Sequence, residues 1–122
     1  MSDAPTVRSI SLALPGAVEQ DHHGRPSFRV GGKIFATLWD LEHANVMLDQ
    51  AGILTAVQAH PEACAEFWWG QRLAAVQVDL VAASGDLLAE LLTDAWEHKA
   101  SARWLAERSA GADNLAPDHR AP

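Results

Sequence analysis

Residues Arg25 to Trp39 read "RPSFRVGGKIFATLW", and the Gly31-Gly32 pair at the centre decides how the chain around it folds. Two runs rich in β-branched and aromatic residues flank the pair, Ser27–Val30 and Lys33–Trp39. A tight two-residue turn needs positive φ, which glycine adopts without steric cost, so the stretch predicts a β-hairpin. A two-residue loop would pair Val30 with Lys33, Arg29 with Ile34 and Phe28 with Phe35. Strand alternation then puts Phe28, Val30, Phe35, Thr37 and Trp39 on one face, and Arg25, Arg29, Ile34, Ala36 and Leu38 on the other. The aromatic set is the expected core face.

Upstream of the hairpin, "TVRSISLAL" (residues 6–14) places Val7, Ile10 and Leu14 on one helical face, with Thr6 as the expected N-cap. Pro15-Gly16 ends that helix, and residues 17–24 predict a link or short strand. Downstream, residues 40–43 form a polar turn and 45–49 a strand. Asp49 can cap a helix over 50–60, with Ile53, Leu54 and Val57 inward. Pro61 suits the first turn of a short helix, or a loop, in "PEACAEFWWG". Cys64 is then a small filler on a helix face, and Trp68-Trp69 lie in loop-like chain. Residues 72–80 alternate as a strand with Ala74, Val76, Val78 and Leu80 buried. Ser84 or Asp86 caps the longest helix, running to about Glu107. The expected architecture is α+β in two layers, an antiparallel sheet with helices packed on one face. It forms a single domain over residues 1–108, and residues 109–122 are expected to be a disordered tail.

Charge constrains the partners. The 122 residues hold nine Lys and Arg against sixteen Asp and Glu, a formal net charge of −7. A protein that grips nucleic acid through phosphates needs concentrated cations. From His22 to Trp39 there are three, Arg25, Arg29 and Lys33, and no acid. From Ile34 to His98 the sole cation is Arg72, against ten acids. The hairpin is therefore where an anion would settle. One cysteine fits a reducing compartment, and the start of the chain lacks the pattern of a secretory leader. A monomeric cytoplasmic domain is the expectation, with no membrane span.

Catalytic constellations are missing from the sequence. It has no G-x-S-x-G, no C-x-x-C, no H-E-x-x-H and no phosphate-cradling glycine loop. His22-His23 would point to opposite faces of a strand and make poor joint ligands. Paired carboxylates such as Glu90 and Asp94 fall at i,i+4, the spacing of a solvated helix face. No enzyme activity, cofactor or metal is expected. Five tryptophans are many for this length. Trp39, Trp68 and Trp69 could stack on bases or line a pocket, with the core-filling reading favoured for Trp39 and Trp96.

The string "LALPGAVEQDHHGRPSFRVGGKIFATLWD" resembles the N-terminal half of the MmcQ/YjbR family, which carries a G-x-P-x-F-x-V-x-G-K-x-F-A hairpin after a Leu-Pro-Gly turn. Gly24, Pro26, Phe28, Val30, Gly32, Lys33, Phe35 and Ala36 match that pattern. "WGQRLAAVQVDL" and the helix after it resemble the second half, with Trp69, Gly70 and Arg72 at the W-G-x-R turn. Three positions depart: Gln71 stands where Arg is frequent, Ala74 where Trp is, and Ala102 where Lys is. The resemblance implies a YjbR/CyaY-like fold and a DNA-binding role on a double-wing surface. For this chain it implies weak phosphate contacts from Arg25, Arg29, Lys33 and Arg72, with Trp68 or Trp69 stacking. The residues themselves leave two other roles open. One is a protein- or small-ligand-binding domain built around Trp68-Trp69. The other, by analogy to the frataxin-like fold, is metal handling by surface carboxylates.

Overall fold

The computed structural model describes residues 1–115, with side chains described through residue 108. Asp3, not Thr6, opens the first helix, α1 (Ala4–Leu12): its carboxylate accepts the Thr6 N–H at 2.9 Å. Pro5 occupies the first turn, where its missing N–H leaves no bond unmade. The chain then runs through β1 (Val18–His22), β2 (Arg25–Val30), β3 (Lys33–Leu38), β4 (His43–Val46), α2 (Gln50–Ala59), β5 (Cys64–Trp69), β6 (Arg72–Asp79), α3 (Gly85–Lys99) and α4 (Ala102–Leu115). The six strands form one antiparallel sheet in the order β1-β2-β3-β4-β6-β5. The expected α+β class is what the chain adopts.

One face of the sheet carries the core. Phe28, Val30, Val46, Val76 and Val78 are fully buried there with Ile53 of α2 and Leu88, Leu92 and Trp96 of α3. Each such side chain removed from water contributes roughly 1.5–3 kcal/mol. Asp49 caps α2 by accepting the Gly52 N–H at 2.7 Å, as expected, and Ser84 caps α3 by accepting the Leu87 N–H at 3.0 Å. Leu54, expected to point inward from α2, is about half exposed, and Ala56 takes the buried position.

Two bulges change which residues face where. Val30 pairs with Lys33 and Arg29 with Ile34, but Phe28 then meets Ala36 instead of Phe35. Phe35 is the extra residue, and both it and Ala36 are fully buried. A bulge reverses the side-chain parity beyond it. Leu38 therefore enters the core, and Thr37 and Trp39 turn to the opposite face, contrary to strict alternation. In β6 the extra residue is Ala74: Phe67 pairs with Ala75, then Trp68 with Leu73. Leu73 takes the core position expected of Ala74.

Two segments differ from the sequence reading in kind. Residues 64–69 are an edge strand, so Cys64 is buried against Val78 on a sheet rather than on a helix face. The long C-terminal helix is broken: Ala100 is extended, at ψ 144°, and the Ser101 carbonyl starts α4 by accepting the N–H of Trp104. Helix α4 continues through Leu115, past residue 108, where the sequence reading ended the domain. Residues 116–122 of the expected tail lie outside the described residues.

A concave groove on the open sheet face

The side of the sheet turned away from the core holds a groove of about 850 Å³. Its floor is Thr37, Asn45 and Ala75, brought to this face by the parity after the β3 bulge and by normal alternation in β4 and β6. Asn45 is almost wholly buried, and its Oδ1 accepts from Gln77 Nε2 at 3.0 Å. A row of aromatic rings crosses the groove. Trp39 and Phe67 lie 5.1 Å apart, edge to face, although β4 and β6 separate their strands. Such proximity requires a concave sheet, and it follows from twist, which lifts two diagonal corners of a sheet toward the same side. Phe67 and Trp69, two residues apart on β5, stack at 6.5 Å. Arg25 lies over the Trp39 ring at 4.0 Å, and its Nε donates to the Trp39 carbonyl at 2.9 Å. That leaves both terminal nitrogens of a half-buried guanidinium free to meet a ligand.

The groove is electropositive in an acidic chain. Arg25, Arg72 and Lys99 line it with His22, His23 and His98, against one carboxylate, Asp49, which is engaged as the α2 cap. Among the described residues, the ion pairs that involve arginine are Arg8–Glu19 at 2.8 Å and Arg108–Glu97 at 3.4 Å. Arg25, Arg29, Lys33 and Arg72 take part in no ion pair among the described residues.

Six residues were singled out from the sequence, and the structure gathers half of them. Arg25, Arg72 and Trp69 line the groove. Lys33 is exposed near the far end of the β2–β3 hairpin. Arg29 donates to Ser27 Oγ at 3.2 Å and approaches His22 Nδ1 at 3.5 Å. Trp68 lies on the other face of β5, with its Nε1 donating to Glu66 at 2.9 Å. Sequence reasoning missed Phe67, His98 and Lys99, and favoured the core for Trp39. The i,i+2 spacing of Phe67 and Trp69 was the available signal, hidden because the segment did not read as a strand. Trp96 is the core filler expected of it, whereas Trp39 is a groove wall.

Next to this groove, sharing Leu48, Asp49 and His98, α2 and α3 enclose a second groove of about 560 Å³, edged by Glu90, Asp94 and Glu97. Burial first, then Glu97 and Glu90, hold the Asp94 carboxyl above its usual range. No cluster of three or more His, Cys, Asp or Glu suited to a metal ion occurs among the described residues. Burial, with a smaller push from Glu62, raises the Cys64 thiol to about 11. At neutral pH Cys64 is therefore a neutral thiol and a poor nucleophile. Native protein should resist iodoacetamide and react fully only in denaturant; rapid native labelling would contradict the burial.

A family model described as YjbR matches residues 12–98. The chain belongs to the YjbR family. The crystal structure of Deinococcus radiodurans protein DR2400, whose domain is labelled DUF419, superposes with a TM-score of 0.66. It is 24% identical, and the match covers 79% of this chain and 77% of that one, so it speaks to the fold. No curated protein sequence matches the chain. Within the YjbR pattern, the Ala74 departure falls at the β6 bulge and on the groove wall, where a small side chain leaves the cleft open. No helix among the described residues is long and apolar enough to cross a membrane.

Proposed function

We propose that this YjbR domain is a non-catalytic binding module whose concave sheet face takes a flat, negatively charged ligand. The observation that carries the reading is the Arg25–Trp39–Phe67–Trp69 row, flanked by Arg72 and Lys99 and opposed by a single engaged carboxylate. Rings supply surface for stacking, the cations offset the ligand's charge, and Thr37 and Asn45 offer hydrogen bonds at the floor. The groove lies within the ~300–1,000 Å³ typical of small-ligand sites. A rigid duplex is far too wide to enter it, so the family's DNA-binding label fits an unstacked base better than a double helix.

The anionic aromatic dye 1-anilinonaphthalene-8-sulfonate is a direct probe. Native protein should bind it saturably with quenching of tryptophan emission. The double variant Arg25→Ala, Trp69→Ala should weaken it by at least about tenfold, since charge-assisted contacts and ring stacking each contribute above 1 kcal/mol. Unchanged binding by the double variant would move the site elsewhere.

Single-stranded nucleic acid is the second reading, favoured by the cations without carboxylate partners that continue from Arg25 to Arg29 and Lys33. Decathymidylate affinity should then fall steeply with salt, and Arg29→Ala, Lys33→Ala should reduce that slope by roughly 0.7 per lost phosphate contact. Absence of binding at low salt removes this reading.

A further inference from the structure

We infer that the β1–β2 turn is the anion-binding corner of the groove and that the anion is a phosphate monoester attached to a flat ring, as in a mononucleotide. The inference rests on the groove reading above and adds the ligand's class. His22 pairs with Arg25, so His23 and Gly24 form a two-residue turn, and both have positive φ, 54° and 85°. Gly24 adopts that conformation freely. His23 adopts it at some cost, because its Cβ crowds the backbone, although histidine with asparagine and aspartate is among the side chains that recur there. Here the imidazole lines the groove. Its ring meets His22 edge to face at 4.5 Å, and His22 Nδ1 lies 3.5 Å from an Arg29 terminal nitrogen. His22, His23 and Arg25 sit at the turn itself, and the Arg29 side chain reaches back from the far end of β2 to His22, so four groups able to donate to an anion lie near one turn. The nearby carboxylate, Asp21, accepts the Gly24 N–H at 3.2 Å and holds the turn closed.

Several donors converging on one corner match a group with three terminal oxygens and a charge near −2 better than a monoanionic carboxylate or an internal phosphodiester. The aromatic row begins at the same corner, where Arg25 covers Trp39. A ring attached to the phosphate therefore reaches stacking surface.

Calorimetric titration with AMP, adenosine, ribose 5-phosphate and unphosphorylated decathymidylate tests the inference. AMP should bind at least about tenfold more tightly than adenosine or ribose 5-phosphate, the effect of losing one charge-assisted contact or one stacked ring. His23→Gly should weaken AMP by about tenfold while its Tm stays at or above that of the parent, because glycine relieves the turn. That combination separates a ligand contact from a structural role. Adenosine matching AMP, or His23→Gly binding AMP unchanged, overturns the phosphate corner even if the sulfonated dye still binds. Decathymidylate matching AMP overturns it in favour of internal phosphodiesters. Failure of both dye and AMP removes the groove reading and this inference with it.

Discussion

Trp96→Ala should cost about 3–5 kcal/mol, the range for emptying a fully buried large aromatic site. The ring is wholly inaccessible, and its Nε1 donates to the Pro15 carbonyl at 2.9 Å. It therefore joins α3 to the turn between α1 and β1, 81 residues away in sequence. A domain of this size is stable by roughly 5–15 kcal/mol, so the substitution removes a large fraction. Trp96→Phe separates the two contributions. It keeps most of the volume but leaves the Pro15 oxygen without its donor, a loss of about 1–3 kcal/mol. Urea unfolding with an unchanged m-value measures both. A cost below about 1.5 kcal/mol for the alanine variant would mean that the site collapses around the gap or that the ring is not the anchor described.

Gly16→Ala should be the next most damaging small change, for two separable reasons. Gly16 sits at φ +70°, where an added Cβ strains the backbone by about 1–2 kcal/mol. That Cβ would also lie 2.6 Å from Trp104 Cε2, inside any tolerable contact. Trp104 belongs to α4, so relief of the clash means displacing that helix. A double-mutant cycle with Trp104→Ala divides the effect. Gly16→Ala should cost less in the Trp104→Ala background, with a coupling of about 0.5–3 kcal/mol. Zero coupling would mean that α4 does not press on the Gly16 turn.

How far the sequence could be read depended on whether the deciding interactions were local. Gly31-Gly32 and the first two cross-strand pairs follow from a turn rule, and they match. The Asp49 cap is equally local. The β3 bulge is not: nothing in "KIFATLW" marks Phe35 as the extra residue, because burying both Phe35 and Ala36 pays off only once the core of α3 lies against them. The misassigned β5 has the same origin. Pro61 and the run from Ala63 to Ala65 carry helical preference, and pairing with β6 overrides it. Part of the groove was visible, namely Arg25, Arg72 and Trp69. The rest needed the sheet's curvature, which joins Trp39 to Phe67 across two strands.

The bulges give the groove a sensitivity to length as well as to identity. Inserting one residue between Ala36 and Thr37 would leave every groove residue in the chain, yet reverse the facing of β3 beyond its bulge. Trp39 would then compete for the interior, and Leu38 would face water. Related chains can therefore differ in what they bind through a single-residue insertion or deletion in a strand, with no change in the residues that do the binding.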